Sequence, residues 1–152
     1  MPRKDQMLYL SPMLRLAILN GPNLNLVGSR EPHIYGNTSM ETYLDDLAGK
    51  YSDVQFSYYQ SNVEGEMINF LHDCRGNVDG VILNAGGYTH TSIALADAIA
   101  SISIPVVEVH ISNIYAREEF RQTSYTAAKA VGCITGLGLK GYELAIQYFI
   151  NS

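Results

Sequence analysis

Val106 to Ser112 reads VVEVHIS. Val107, Val109 and Ile111 alternate with Glu108, His110 and Ser112, which is the period-two pattern of a β-strand. The strand spans Ile104 to Ile111, and its neighbours in sequence make it part of a parallel sheet. A strand inside such a sheet is normally apolar on both faces. Here three polar residues share one face and run to the carboxyl edge. Buried polar groups must find partners, so one reading is a satisfied Glu108–His110 pair in the core. The other is a general acid, His110, oriented by Glu108, and its nearness to the strand end favours this second reading.

Four more β-rich runs flank this one: Leu14 to Leu19, Val54 to Gln60, Val78 to Asn84, and Gly132 to Gly136. Between them, apolar residues recur at helical spacing: Met40, Leu44, Leu47 and Tyr51; Met67 or Ile68, Leu71 and Cys74; Leu95, Ala98 or Ile99, and Ile102; then Tyr142, Ala145 or Ile146, and Phe149. Thr38 with Glu41 and Ser61 with Glu64 have the spacing of capping boxes. Alternating strands and helices imply an α/β fold, a parallel sheet covered on both faces with right-handed crossovers. Five strands at this length predict a doubly wound, flavodoxin-like sheet of order 2-1-3-4-5. Its ligands sit beyond the carboxyl ends of strands one and three, where the order reverses. Residues 1–13 read as an N-terminal extension and residues 14–152 as a single domain, with no repeat, linker or low-complexity tract.

Composition narrows the partners. A chain of 152 residues can bury a real core. At 47% hydrophobic and 16% charged it falls in the soluble globular range, and no apolar run reaches the length of a membrane span. The apolar residues after the basic start are broken by Ser11 and Pro12, and no small-residue cleavage site follows, which argues against a signal peptide. A net charge of −5 argues against a nucleic-acid partner. An anionic ligand must then be held by a few placed arginines. Cys74 and Cys133 have no partner at metal-ligand spacing and read as buried free thiols of a reducing cytoplasm.

Three further segments lie at the predicted ligand edge. LNGPNLNLVGSREPHIYG, Leu19 to Gly36, follows strand one and supplies Asn23, Arg30 and Tyr35. It lacks the Walker and dinucleotide glycine spacings, so it is either a plain surface loop or a ligand loop without a phosphate signature. NAGGYTHTS, Asn84 to Ser92, follows strand three. Its paired glycines permit close approach of backbone, and Thr91 or Ser92 can cap the next helix. His90 and Asp97, seven apart, would share a helical face roughly 10 Å apart. Their plainer readings are a packing histidine and a solvated charge. SNIYAREEFRQTSY follows strand four; Arg117 and Arg121, four apart on one helical face, form either an exposed charged helix or a clamp for a carboxylate. His33 and His72 lack such settings, and none of the scattered lysines lies at a strand edge where a Schiff base would be expected.

Together, LNGPNLNLVGSREPHIYG, QSNVEG, ILNAGGYTHTSIAL, PVVEVHISNIYAREEFR and AVGCITGLGLKGYELA resemble type II 3-dehydroquinate dehydratase, in order and at the family's spacing from about Leu14 to about Ile150. The chain departs from the family pattern at Val27, where leucine is usual, and at Ala96, where many relatives carry arginine. The resemblance implies dehydration of 3-dehydroquinate to 3-dehydroshikimate, with no metal or organic cofactor, in a cytoplasmic dodecamer of four trimers. By position it implies Tyr35 as the base, with Arg30 steadying its ionised form. It implies Asn23 as the holder of a water at the enolate, and His110 as the acid oriented by Glu108. Asn84, His90, Ile111, Ser112 and Arg121 would bind the small anionic substrate, Arg117 would sit near the base, and Asp97 would act across the trimer interface. Gln60, Asn62 and Glu64, which match the family's QSN-x-EG motif, would have a supporting role only. The competing class is a non-enzymatic signalling receiver or flavin carrier. A receiver needs acidic residues after strand one and an aspartate ending strand three; NGPN and LNAGG stand there instead.

Overall fold

The computed structural model describes residues 13–29, 33 and 38–152. The predicted extension, apart from Met13, lies outside the described residues. Five strands form one parallel sheet: β1 (Leu14–Asn20), β2 (Val54–Gln60), β3 (Gly80–Asn84), β4 (Val106–His110) and β5 (Gly132–Thr135), in the order β2-β1-β3-β4-β5. Among the described residues the α-helices are α1 (Met40–Lys50), α2 (Glu64–Cys74), α3 (Ile93–Ser101) and α4 (Lys140–Ile150). Among the described residues, no helix is long and apolar enough to cross a membrane.

The alternation of side chains divides the core in two. Leu16, Ile18, Ile82, Val107 and Val109 point to one face, where Met40 and Leu47 of α1 and Tyr142, Ala145, Ile146 and Phe149 of α4 cover them. Ala17, Leu19, Val81, Leu83 and Val106 point to the other, under Met67 and Leu71 of α2 and Leu95, Ala98 and Ile99 of α3. Each of the buried Val, Leu, Ile, Met and Phe side chains contributes about 1.5–3 kcal/mol. The chain leaves β1 towards the first face and β3 towards the second, so a crevice opens between their carboxyl ends. There the two connections almost touch. The Gly21 N–H donates to the Asn84 carbonyl at 2.7 Å, and a Cβ on Gly21 would lie 2.4 Å from the Ala85 carbonyl oxygen.

Some boundaries differ from the sequence reading for identifiable reasons. β4 begins at Val106 because Pro105 has no N–H; its carbonyl instead accepts from Val81 at 3.0 Å. β3 begins at Gly80, where the Phe149 ring occupies the space of a Cβ. Neither expected capping box forms. Ser39, not Thr38, caps α1 by accepting from the Thr42 N–H. Ser61 accepts from the Val63 N–H and donates to Glu66 rather than pairing with Glu64. Ser92 does cap α3, through the Leu95 N–H at 2.9 Å. Cys74 is buried, but Cys133, on the edge strand β5, is exposed, against the expectation of two buried thiols.

Two polar clusters tie α4 to the rest. The fully buried Tyr142 hydroxyl donates to Asn20 Oδ1 at 2.7 Å and accepts from Asn84 Nδ2 at 2.9 Å, which locks together the ends of β1 and β3. Burial pushes its phenol well above the ordinary tyrosine range. Glu143 takes Lys140 and Lys50 at 2.6 Å each and the Tyr51 hydroxyl at 2.9 Å, stapling α4 to the end of α1. The bonds from Lys140 and then Lys50 hold its carboxyl down at about 2 from an ordinary 4.5. Tyr142→Phe removes a hydroxyl that serves two buried amides, so it is expected to cost about 1–3 kcal/mol, read as a lower urea midpoint at unchanged slope. The Glu143 contribution is complete above about pH 4.5 and is lost as pH falls towards about 2. Glu143→Gln should therefore be less stable than the parent at pH 7, and the gap in urea midpoint should close across that acid window.

Candidate active site

At the crevice one small cleft, about 130 Å³, is lined by Asn23, Asn84, His90, His110, Ile111, Ser112, Arg117 and Arg121, with Gly86 and Gly87 on its floor. These residues come from the ends of three strands and the connections that follow. The turn after β1 brings Asn23 in with a left-handed backbone, φ 69°. Its N–H donates to Asn62 Oδ1 at 3.0 Å, and Gln60 Nε2 donates both to that oxygen and to the Gly21 carbonyl. Gln60 and Asn62 thus support the turn. Among the described residues it is Glu66, rather than the expected Glu64, that bonds within this motif. Asn84 is held from below by Tyr142, and its Oδ1 accepts from the Gly86 N–H at 3.2 Å.

The two histidines are held through different ring nitrogens by different partners. His90 closes a short 3-10 turn, Gly86–His90, and its Nδ1 lies 2.8 Å from the Thr123 carbonyl. A carbonyl only accepts, so Nδ1 carries the proton, and Nε2 of the neutral ring is an acceptor. Burial lowers the His90 pKa, and the nearby His110 and Arg121 reinforce this. His110 instead donates Nε2–H to Glu108 Oε2 at 2.8 Å, which leaves Nδ1 outside that bond. The two rings lie 6.3 Å apart, centroid to centroid.

Glu108 has no exposed surface. Besides His110, it accepts from the Ser124 hydroxyl at 2.9 Å, from the Thr126 hydroxyl, and from the Cys133 thiol at 3.5 Å. Cys133 stands beside it in the β4–β5 register. Burial alone would raise the Glu108 pKa, but the His110 bond, then those of Thr126 and Ser124, outweigh burial and leave it below the usual carboxylate range. Its charge in turn, after burial, helps push the Cys133 thiol up to about 12. Glu108, His110 and Cys133 offer ligand atoms within 4.8 Å of one another. They fit a cation poorly as arranged: four donors occupy the carboxylate, and a nitrogen that donates a proton has no lone pair for a metal.

The sequence placed Arg117 and Arg121 on one helical face. They lie instead at two separate 3-10 turns, Ile114–Ala116 and Glu119–Arg121, with Arg117 extended between them. Both still line the cleft, and both approach Glu118, Arg121 at 2.8 Å and Arg117 at 3.8 Å. The helical face proposed for His90 and Asp97 is also absent, because α3 begins only at Ile93. Asp97 is exposed on α3 and does not line the cleft of its own chain. Arg30 and Tyr35 lie outside the described residues. The roles of Ser124, Thr126 and Tyr142 were missed. A buried glutamate needs donors, but nothing in the sequence says which hydroxyls supply them.

A larger cavity, about 530 Å³, lies between α1 and β2. Among the described residues its lining is mostly apolar and includes Glu41 and Asp45, two carboxyl groups that do not favour an anion. The cleft at the crevice concentrates two guanidinium groups and two imidazoles in a chain of net charge −5. With a carboxylate-bound histidine, a neutral histidine and two arginines, it can bind a small hydroxylated anion and exchange a proton with it.

Comparison with known proteins agrees with this geometry. The pattern of the family described as dehydroquinase class II matches residues 14–150. The chain is 49% identical over 143 residues to a 3-dehydroquinate dehydratase of Aliarcobacter butzleri, covering 91% of this chain and 87% of the relative. It is 47% identical over 141 residues to catabolic 3-dehydroquinase 2 of Neosartorya fischeri, covering 91% and 94%. The crystal structure of type II dehydroquinase from Butyrivibrio crossotus superposes with a TM-score of 0.87 at 44% identity, covering 91% of this chain and 98% of that one. The chain therefore belongs to the class II dehydroquinase family.

Proposed function

We propose that this chain is a type II 3-dehydroquinate dehydratase, a hydro-lyase that removes water from 3-dehydroquinate by anti elimination through an enolate. The observation that carries the reading is the His110–Glu108 pair, 2.8 Å apart, beside a cleft lined by Arg117 and Arg121. A proton leaves the carbon beside the ketone, the enolate forms, and the departing hydroxyl takes a proton from His110. Glu108 accepts the Nε2–H of that ring and fixes its direction. Neutral His90 accepts from a substrate hydroxyl, Asn84 and the Ile111–Ser112 backbone bind others, and Arg121 takes the carboxylate.

Tyr35 is the base in this scheme. An ordinary tyrosine is only about one part in a thousand ionised at neutral pH, so the base needs a cation, and Arg30 and then Arg117 are assigned that role. Asn23 positions a water that donates to the enolate oxygen. Residues 14–152 act as one catalytic domain. The active assembly is a cytoplasmic dodecamer of four trimers, in which Asp97, exposed on α3, serves a neighbour's site. The reaction belongs to the shikimate route to chorismate and the aromatic amino acids, and the same step serves quinate breakdown.

Supplying 3-dehydroquinate should produce the ultraviolet absorbance of a conjugated enone; none from the folded oligomer would refute the assignment. Tyr35→Phe should lower kcat by about 10²–10⁴-fold while substrate still binds. Turnover near the parent value removes Tyr35 as the base. His110→Ala should reduce turnover much more than it weakens binding, measured as kcat against a dissociation constant from calorimetry.

A further inference from the structure

The carboxylate of Glu108 is held from two sides. β4 and β5 supply His110 and Cys133; a segment far along the connection to β5 supplies Ser124 and Thr126. We propose that Ser124 and Thr126 are positioning residues for the dehydration: their hydroxyls fix the Glu108 carboxylate so that it holds the His110 ring in the orientation proton transfer requires. This rests on the assignment of His110 as the acid.

The segment is built to hold position. Thr126 is fully buried. Its hydroxyl donates to Glu108 Oε1, while that of Ser124 donates to Oε2, so each carboxylate oxygen has its own hydroxyl. The two hydroxyls are 3.2 Å apart, and Ser124 Oγ also accepts from the Ala127 N–H at 2.9 Å, which fixes the turn. The segment is pinned from outside as well. The Tyr125 N–H donates to the Thr89 carbonyl at 2.9 Å, and the Thr123 carbonyl accepts from the His90 Nδ1–H. One short stretch thus sets the carboxylate behind one histidine and the tautomer of the other.

The alternatives are weaker. A glutamate side chain has three rotatable torsions, and His110 engages only one oxygen. Among the described residues Thr126 is the donor to Oε1, because Cys133, a weak S–H donor at 3.5 Å, also points to Oε2. Without Thr126 the buried carboxylate must turn towards another donor or take up a proton. Either change loosens its hold on the imidazole.

The test compares Thr126→Val, which keeps shape and burial, with Thr126→Ser, which keeps the hydroxyl. Thr126→Val should lower kcat by about tenfold to a hundredfold with KM changed less than about threefold, and Thr126→Ser should restore most of the loss. In the ligand-free protein, proton NMR should show the His110 Nε2–H as a downfield, slowly exchanging resonance in the parent and in Thr126→Ser. It should be lost or broadened in Thr126→Val. Retained kcat with the resonance intact in Thr126→Val overturns the proposal. So does a serine variant no better than valine, or a fall in kcat with the resonance unchanged. If Thr126→Val does not fold, Ser124→Ala is compared with Ser124→Thr on the same two readouts, with threonine in the rescuing place of serine. A parent protein without dehydratase activity would refute the dehydratase assignment, and the NMR comparison would still decide whether the hydroxyls hold the pair.

Discussion

Glu108 is the constraint around which the catalytic edge is organised. An ionised carboxylate removed from water costs several kcal/mol even after relaxation, unless donors surround it. Each hydrogen bond to such a charge returns about 1.5–3 kcal/mol. Four donors converge on Glu108 from β4, β5 and the Ser124–Thr126 turn. That requirement fixes the register of β5, the path of the connection after β4, and the direction of His110. An apolar residue at 108 would satisfy the sheet more easily, and it would leave His110 without a partner.

Around that fixed pair the fold gathers two guanidinium groups at one cleft against the protein's overall charge. The two connections diverging from β1 and β3 leave room for a cleft, and Gly21 lets them approach within hydrogen-bond distance at its base. Tyr142 then joins the ends of both strands through Asn20 and Asn84. Arg117 and Arg121 come over the cleft from irregular chain, with the exposed Glu118 at their side. The scaffold is stiff where protons are proposed to move and irregular where the substrate must enter. That division suits a reaction that needs accurate placement of its reacting groups.

The fold was legible because its determinants are periodic. β-rich runs and helical stripes mark the five strands and four helices seen among the described residues, and an α/β chain of this length with five strands implies the observed order. The polar face of β4 was legible too, because Glu108 and His110 break an otherwise apolar rule. Non-periodic features were not. Arg117 and Arg121 have helical spacing, yet lie at successive 3-10 turns that reach the same cleft. Thr38 and Glu41 have capping spacing, yet Ser39 takes the cap. Ser124 and Thr126 sit in a polar loop that looks like any other, and only the three-dimensional path reveals their bonds to a strand 16 and 18 residues earlier.

The central claim is that His110 delivers a proton to the leaving hydroxyl and takes no part in removing the proton beside the ketone. The most direct test is to incubate His110→Ala with 3-dehydroquinate in deuterium oxide and follow that proton by NMR. Continued exchange with almost no enone formed is the predicted result, because the base and the enolate site remain in place. Loss of exchange together with elimination would contradict the claim, making His110 a participant in proton removal.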